Sequence, residues 1–284
     1  MSFFYFCIAF LLGTSSLASA IENLQNKSVR IFPDVTVFNG KTMDIIGDSL
    51  EEIAKLRAFP VEKYTIYDVP TLGAFYVDLP QDTIKGTLKA GNVWEPNIVE
   101  LIKEYAKEGS VAVDLGSHIG THLLSMSQAV GKNGLVVGFE PQMKIFSELI
   151  MNMQLNQCSN VRAYRCAVGR NFDQVQMNIP YSSNEGGASI GRGGDIAKLI
   201  PLDSLQLCNV SIIKIDVEGY EDEVLAGAVQ TIRDNHPYII IELMDSNEEQ
   251  VNKRDATIKN LEEMGYTLQK LWGWDWFAIP RLCN

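Results

Sequence analysis

The length, composition and charge of the chain exclude several classes of protein. Its 284 residues are enough for one large domain or two small ones. Hydrophobic residues make up 46% and charged residues 21%, which is ordinary for a globular chain and excludes intrinsic disorder. The net charge of −11 argues against general binding to nucleic acid or to anionic lipid.

The first residues are typical of a signal peptide. Residues 1–20 carry no charged side chain, residues 3–12 are almost entirely apolar, and Ala-Ser-Ala at 18–20 has the form of a signal-peptidase site. We expect cleavage near Ile21 and a location in the secretory pathway, the periplasm or outside the cell. An uncleaved N-terminus that tethers the chain to a membrane is the alternative. Beyond this segment no apolar stretch is long enough to span a membrane.

Four cysteines would remain after that cleavage, namely Cys158, Cys166, Cys208 and Cys283. An even number in a secreted chain permits disulfides, but the sequence does not select among the three possible pairings. Four free thiols are the equal alternative. None of the four has the spacing of a metal site.

Residues 21–90 predict an N-terminal α+β extension. A strand is expected at 35–38 and a helix over 50–56. The β-rich runs at 64–69 and 74–79 are separated by Pro-Thr-Leu-Gly, which predicts a hairpin.

Residues 91–284 predict an α/β domain, because five apolar runs alternate with helical patterns. The runs that predict buried strands are 111–115, 135–139, 161–166, 212–217 and 238–243. Apolar stripes predict helices between most of them, one over 224–232 and a weaker one over 247–264. Two further runs, at 266–271 and 276–279, predict a closing hairpin. The alternation indicates a doubly wound, mostly parallel sheet with helices on both faces.

A glycine-bearing turn follows the first of these strands. Asp114, Gly116 and Gly120 lie where the strand ends and a helix begins, so a ligand could approach the backbone closely there. The G-x-x-x-G spacing differs from the G-x-G-x-x-G loop that binds a pyrophosphate. An acid before the first glycine would repel a pyrophosphate but could hold an ammonium group. The pattern therefore favours a cationic ligand over the cofactors of nicotinamide or flavin oxidoreductases.

Two further acidic motifs stand at strand ends. Glu140 follows the second strand and is placed to bind both hydroxyls of a ribose. Asp216 and Glu218 end the fourth strand at alternating positions, so we expect both side chains on one side, and Gly219 then permits a sharp turn. The alternative is that the two acids cap the following helix.

Two other features carry weaker hypotheses. His118 and His122 are spaced i, i+4, but no third ligand follows at metal spacing, which argues against a metal pair. Residues 182–194 are glycine-rich and predict a mobile loop that either closes over a substrate or is plain surface.

The motifs VDLGSHIGTHLL, GFEP, CAVG, PLDSL and IKIDVEGYEDEVLAGA, in this order and spacing, resemble the FkbM-type family of S-adenosylmethionine-dependent methyltransferases. The resemblance covers roughly residues 90–245. It implies a class I methyltransferase fold, with a seven-stranded sheet in the order 3-2-1-4-5-7-6 whose last strand is antiparallel. It also implies S-adenosylmethionine as the cofactor.

The resemblance further implies which residues contact that cofactor. The glycine turn would cradle the methionine part, Glu140 would hold the ribose, and the CAVG segment would lie beside the adenine. His118 stands where Asn is commoner in the family and can still donate a hydrogen bond. The implied cofactor-binding residues are Glu95, Asp114, Gly116, Ser117, His118, Gly120, Glu140, Pro141, Ala167 and Val168.

The expected reaction is O-methylation of a hydroxyl on a small molecule or a glycan. An alcohol must lose its proton, so a carboxylate near the methyl group is the expected base, with Asp216 as the first candidate and Glu218 as the second. Alternatively, this pair could hold a divalent metal ion. A secreted, non-catalytic protein that retains the methyltransferase fold is the rival hypothesis for the whole chain.

Overall fold

The computed structural model describes three stretches of the chain, residues 61–78, 82–179 and 184–281. The predicted signal peptide at 1–20, the predicted strand at 35–38 and the predicted helix over 50–56 lie outside them. Within the described stretches, no helix is both long and apolar enough to cross a membrane.

The described cysteines form no disulfide with one another. These are Cys158, Cys166 and Cys208, whereas Cys283 lies outside the described stretches.

The described N-terminal part is a hairpin followed by a helix. A 3-10 turn at Val61–Lys63 leads into β1 (Thr65–Val69), which pairs antiparallel with β2 (Gly73–Val77) and confirms the predicted hairpin. Helix α1 (Thr83–Lys89) begins after Asp82, whose side chain accepts a hydrogen bond from a main-chain N–H of the first turn.

Ten strands follow in the described part of the chain. They are β3 (Val111–Leu115), β4 (Leu135–Phe139), β5 (Val161–Tyr164), β6 (Cys166–Val168), β7 (Asp173–Asn178), β8 (Gly193–Ile200), β9 (Val210–Ile215), β10 (Tyr238–Glu242), β11 (Tyr266–Lys270) and β12 (Asp275–Pro280). Seven of them form one sheet in the order β11-β12-β10-β9-β3-β4-β5. Only β12 runs antiparallel to its neighbours. This arrangement confirms the doubly wound fold and the strand order 3-2-1-4-5-7-6.

Helices cover both faces of this sheet, which explains why its central strands are apolar throughout. The helices are α2 (Pro96–Tyr105), α3 (Thr121–Val130), α4 (Met143–Leu155), α5 (Glu221–Ala226), α6 (Val229–Asn235) and α7 (Glu248–Glu263). Successive strand residues point to opposite faces. Ala112 and Ile212 belong to the core that holds apolar residues of α2, α3, α4 and the hairpin, whereas Val113 and Ile213 belong to the core that holds those of α5, α6 and α7.

The structure corrects three predicted boundaries. The run at 161–166 is divided, because β5 ends at Tyr164 and β6 belongs to a separate sheet of order β6-β8-β7. The stripe over 224–232 forms two helices, and Gly227 between them approaches the Gly169 carbonyl so closely that a Cβ would lie 2.0 Å from that oxygen. The run at 212–217 ends as a strand at Ile215.

The glycine-rich stretch at 182–194 differs from the predicted loop at its C-terminal end. Strand β8 already begins at Gly193, and Met177 bridges Ile190 across the connection. Residues 182 and 183 lie outside the described stretches.

Two asparagines of α4 attach the N-terminal hairpin to the domain. Asn152 Oδ1 accepts a hydrogen bond from Tyr76 N at 2.7 Å. Asn156 binds both main-chain groups of Ala74, with distances of 3.0 Å to the nitrogen and 2.7 Å to the oxygen. The hairpin edge is thereby held by side chains, since no further strand pairs with it in the described part of the chain.

A buried cluster of ions joins three segments that are distant in sequence. The Lys85 side chain on α1 is fully buried, and its Nζ lies 2.8 Å from Asp78, 2.8 Å from Glu148 on α4 and 2.5 Å from Glu185. Lys144 contacts the same three carboxylates. Burial alone would raise the pKa of Asp78, but hydrogen bonds from Lys144 and Lys85 lower it below its usual value.

We expect Lys85→Met to destabilise the fold by about 3–5 kcal/mol, because it leaves buried carboxylates without their central cation. Chemical denaturation measures this free energy of unfolding. Lys259→Met is the matched control, since that side chain is 76% exposed and its surface ion pair contributes little. Equal effects of the two substitutions would contradict the structural role of the cluster.

Candidate active site

A cavity of about 260 Å³ opens at the carboxyl ends of β3, β4 and β9. Strand order reverses between β3 and β9, which is where open α/β sheets bind ligands. Of the sequence-predicted site residues, Asp114, Ser117 and Gly120 do not line the cavity. Those that do are Glu95, Gly116, His118, Glu140, Pro141, Ala167, Val168, Asp216 and Glu218.

The floor of the cavity depends on a glycine. Gly116 has a φ of +85°, and a Cβ there would lie 1.8 Å from the carbonyl oxygen of Asp216. Ser117 fixes the loop, because its hydroxyl donates to the Asp114 carbonyl at 2.9 Å and accepts from Phe139 N at 3.0 Å. The position therefore requires glycine for space as well as for conformation.

Gly120 has a packing role at the other end of the loop. It precedes α3 with a φ of +91°, and a Cβ there would lie 2.8 Å from the Met153 Cε. Its small size lets α3 and α4 pack closely, which sets the direction in which the loop leaves the sheet.

His118 presents an unpartnered ring to the cavity. Its side chain is among the buried polar groups, and among the described residues neither ring nitrogen has a hydrogen-bond partner. Burial lowers the pKa of His118 to about 4, so the ring is neutral at physiological pH. A neutral imidazole offers one donor and one acceptor to a polar ligand.

Asp114 lies beneath the loop rather than in the cavity wall. It is 1% exposed, and within the described residues its two carboxylate oxygens have no hydrogen-bond partner, since the Ser117 hydroxyl donates to the carbonyl instead. Burial raises the pKa of Asp114 to about 6, while the charge of Lys214 on the neighbouring strand opposes that rise. The acid is placed to act on the loop through its charge.

Glu140 is held rigidly at the end of β4. Its Oε2 accepts from His118 N at 3.1 Å, and its Oε1 accepts from Gln142 N at 2.8 Å. Burial raises the pKa of Glu140 to about 7, and the two main-chain hydrogen bonds oppose that rise. Ala167 and Val168 also line the cavity. They lie on β6, which is not a strand of the main sheet.

The acids after β9 meet for a reason other than the one predicted from the sequence. The strand ends at Ile215, so alternation along a strand does not place Asp216 and Glu218 together. Instead Glu218 adopts a φ of +56° and Gly219 a φ of +96°, which turns the chain back. One carboxylate oxygen each of Asp216, Glu218 and Glu242 then lies within 4.8 Å of the others.

This end of the cavity concentrates negative charge. Burial raises the pKa of Glu218 to about 7, and the charges of Asp216 and Glu221 add to that rise. Burial, Asp216 and Glu218 raise the pKa of Glu242 to about 9. Among the described residues, the cation nearest to these acids is Lys214, whose Nζ donates to Asp216 Oδ2 at 2.7 Å.

Glu95 brings a further carboxylate from the segment before β3. It precedes α2 with a φ of +44°, and its Oε2 lies 3.4 Å from the Nε2 of His122. Burial raises the pKa of Glu95 to about 7, although the charge of Lys214 lowers it. Because burial lowers the pKa of His122, this pair is not an ion pair at neutral pH.

Sequence reasoning missed several residues of the site. Glu242 ends β10, so the strand-end argument that identified Glu140 applies to it equally. Lys214 is a charged residue inside an apolar strand, which is itself a signal because buried lysines are rare unless paired. Trp94 and Trp274 also line the cavity, and no periodic pattern marks them.

The possible metal ligands are oxygen atoms. Asp216, Glu218 and Glu242 could together offer three carboxylate oxygens to a hard divalent cation. Neither His118 nor His122 belongs to a group of three possible ligands in the described part of the chain.

A model of the FkbM methyltransferase domain matches residues 114–268, more than half of the chain. The chain belongs to the FkbM methyltransferase family. Methyltransferase 1 of Beauveria bassiana is 28% identical over 167 residues, which span 49% of this chain and 66% of that protein. The hexuronic acid methyltransferase AglP of Haloferax volcanii is 27% identical over 154 residues, which span 52% and 62%. The chain thus spans less than two thirds of the length of these relatives.

A solved structure of methyltransferase FkbM from Methylobacillus flagellatus is 18% identical, with a TM-score of 0.44. The match covers 69% of this chain and 52% of that one.

The family is one of S-adenosylmethionine-dependent methyltransferases, and the cavity fits that cofactor. Gly116 provides a floor that a Cβ would fill, and His118 offers polar atoms without partners. Glu140 has a fixed carboxylate of the kind that binds a ribose diol. When bound, S-adenosylmethionine supplies a methyl group that its sulfonium has already activated.

We expect S-adenosylmethionine and its demethylated product to stabilise the protein by roughly 2.7 kcal/mol at a hundred times their Kd, and NADH to have no effect. Gly116→Ala should abolish this stabilisation, because the added methyl group collides with the Asp216 carbonyl. Thermal unfolding with each ligand measures both effects.

Gly91→Ala is the matched control for backbone strain. Gly91 has a φ of +73° and no atom within 4 Å of an added Cβ, so this variant should lose about 1–2 kcal/mol of stability and still bind the cofactor. If Gly116→Ala fails to fold, Glu140→Gln replaces it and should weaken cofactor binding about tenfold. Unchanged cofactor binding in both site variants would overturn the assignment.

Proposed function

We propose that the chain transfers a methyl group from S-adenosylmethionine to a hydroxyl on a small molecule or a glycan. The observation that carries the proposal is the position of Glu218, a carboxylate with a raised pKa in the same cavity as the glycine floor and Glu140. The name of the relative AglP, a hexuronic acid methyltransferase, supports a carbohydrate acceptor.

The residues of the cavity have separable tasks. Glu140 orients the cofactor through its ribose, and the neutral ring of His118 provides a polar contact without adding charge. Ala167 and Val168 form an apolar wall that excludes water from the cofactor side. Alignment and exclusion of water are the main tasks for a reaction whose methyl group is already activated.

Glu218 is the better candidate for the base that removes the hydroxyl proton. Asp216 already accepts a hydrogen bond from Lys214 on its Oδ2, so that oxygen is engaged within the protein. The pKa of Glu218, raised to about 7, suits a base that works near neutral pH. Asp216 then acts as the positioning residue, since its charge adds to the rise in the pKa of Glu218. This proposal places Glu218 before Asp216, whereas the sequence alone ranks Asp216 first.

The segment at 184–190 contributes a cover over the cavity. Asn184, Gly186, Ala188 and Ile190 line it, while Glu185 between them is held by the buried Lys85 and by Lys144. This anchoring supports a role in keeping water away from the reacting atoms.

We expect Glu218→Gln to lower kcat by about 10²–10⁴-fold while cofactor affinity stays within about twofold. In the wild type, kcat/KM should rise with pH through about 7, because the base must be deprotonated, and Glu218→Gln should remove this rise. Formation of S-adenosylhomocysteine with an identified acceptor is the assay. Glu223→Gln is the matched control, since that side chain is 31% exposed and pairs with Arg170 outside the cavity. An unchanged pH profile in Glu218→Gln would show that another group is the base.

We also propose that residues 1–20 direct the chain into a secretory route. Their support is the uncharged apolar run followed by Ala-Ser-Ala. N-terminal sequencing of the protein from its own host should find a first residue near Ile21. An intact Met1 in the membrane fraction would support the tethered alternative instead.

A further inference from the structure

The cavity wall carries acids without basic partners in the cavity. Five carboxylate side chains line it, and no lysine or arginine does so within the described stretches. Glu140 lies on the cofactor side, at the end of β4. The others gather at the opposite end, around the carboxyl ends of β9 and β10. They are Asp216, Glu218, Glu242 and also Glu95, which the sequence alone assigns to the cofactor.

The nearest cation balances only one of these charges. Lys214 lies behind the wall, 3% exposed, with its Nζ 2.7 Å from Asp216. The charges of Asp216, Asp114 and Glu95 all raise the pKa of Lys214, so this lysine interacts with three carboxylates at once. The cofactor brings one net positive charge. The acids at this end of the cavity are therefore not compensated by the lysine or the cofactor, and an ammonium group that binds among them would favour their deprotonated, charged forms.

Aromatic side chains stand at the same cavity. Trp94 directly precedes Glu95, and Trp274 precedes Asp275 at the start of β12, which pairs with Glu242. Both tryptophans line the cavity. Tryptophan and carboxylate side chains are residue types that together can recognise an ammonium group, through cation–π attraction and charge.

An independent feature shows that the cavity is built for a polar ligand. The His118 side chain is 8% exposed, lines the cavity, and within the described part of the chain has no hydrogen-bond partner on either ring nitrogen. Because the ring is buried and neutral, it does not offset the carboxylates. A buried polar group without a partner costs stability unless a ligand satisfies it.

We propose that the acceptor end of the cavity selects a methyl acceptor that carries an ammonium group near its reacting hydroxyl, in preference to a neutral acceptor, and rejects one that carries a carboxylate. The inference rests on the proposed function, because it concerns the acceptor of that same reaction. It separates this chain from a hexuronic acid methyltransferase, whose name specifies an acidic sugar. An acidic acceptor would meet like charges and find no cationic side chain in the described wall.

Three methyl glucosides that differ only at C6 provide the test. They are the 6-amino-6-deoxy compound, the parent 6-hydroxy compound and the uronate. Their affinities for the full chain are measured by titration calorimetry at neutral pH with S-adenosylhomocysteine present. Methyl transfer from S-adenosylmethionine to each compound is followed in parallel.

We expect the amino compound to bind about tenfold more tightly than the neutral one, and the uronate more weakly than both. Glu242→Gln should reduce the preference for the amino compound, because it removes one of the carboxyl groups that would lose their protons and pair with a bound ammonium group. Glu263→Gln is the control for net charge, since that side chain is 67% exposed on α7 and the variant should keep the preference.

The charge selectivity and the proposed function would be contradicted by different results. Equal affinities, tighter binding of the uronate, or no binding of the amino compound would overturn the charge selectivity while leaving cofactor binding and methyl transfer intact. Loss of S-adenosylhomocysteine binding itself, or methyl transfer to none of the three despite tight binding of the amino compound, would overturn the proposed function instead.

Discussion

The close approach of β3 and β9 at their carboxyl ends is the constraint on which the site depends. The Asp216 carbonyl lies where a side chain at position 116 would stand, so only glycine permits the two strand ends to meet. Asp216 N also donates to the Leu115 carbonyl, which holds the contact. Gly116 at this contact forms the floor of the cavity. Asp216 at the same contact begins the turn that leads to Glu218. Cofactor and acceptor ends are therefore set by one backbone contact.

A second constraint is electrostatic, and it is centred on a single buried lysine. Lys214 is the residue whose charge lowers the pKa of Glu95, Asp114 and Glu218, while burial raises all three. One cation cannot neutralise so many carboxylates in a partly dry environment, so several of them hold their protons near neutral pH. Such a cavity favours positive ligands, which is what a sulfonium cofactor requires. Acids also line the cavity beyond the cofactor side, at the ends of β9 and β10, and for this reason we expect an ammonium group on the acceptor.

Much of this architecture can be predicted from the sequence, because the main sheet has strong local signals. Its strands are apolar runs bounded by turn residues, and Glu140 follows one of them directly. The smaller sheet has no such signal. Strand β7, with the sequence DQVQMN, is mostly polar, and β8 begins with two glycines. Strand β7 and the first half of β8 are mostly exposed, and apart from Met177 their buried apolar residues lie in the second half of β8, so hydrophobic periodicity does not detect the pair.

Contacts between segments that are far apart in the sequence could not be predicted from it, for a different reason. Lys85 and Glu185 are 100 residues apart, and neither has a local pattern that indicates a buried ion pair. The turn at Glu218 is similar, since a glutamate gives no local signal for a positive φ. Sequence reasoning therefore identified the two acids and misjudged the geometry that unites them.

The cavity is lined partly by the domain that the family model matches and partly by segments that flank it. The family match begins at residue 114 and ends at 268, and it includes the glycine floor, Glu140 and the Asp216–Glu218 turn. Glu95, Trp94 and Trp274 lie outside that match yet line the same cavity. The cofactor side is thus built from the domain that the family shares, whereas part of the acceptor end is built from flanking segments. The acceptor selectivity that we propose therefore depends on both parts, because Glu95 and the two tryptophans come from the flanking segments, whereas Asp216, Glu218 and Glu242 come from the shared domain.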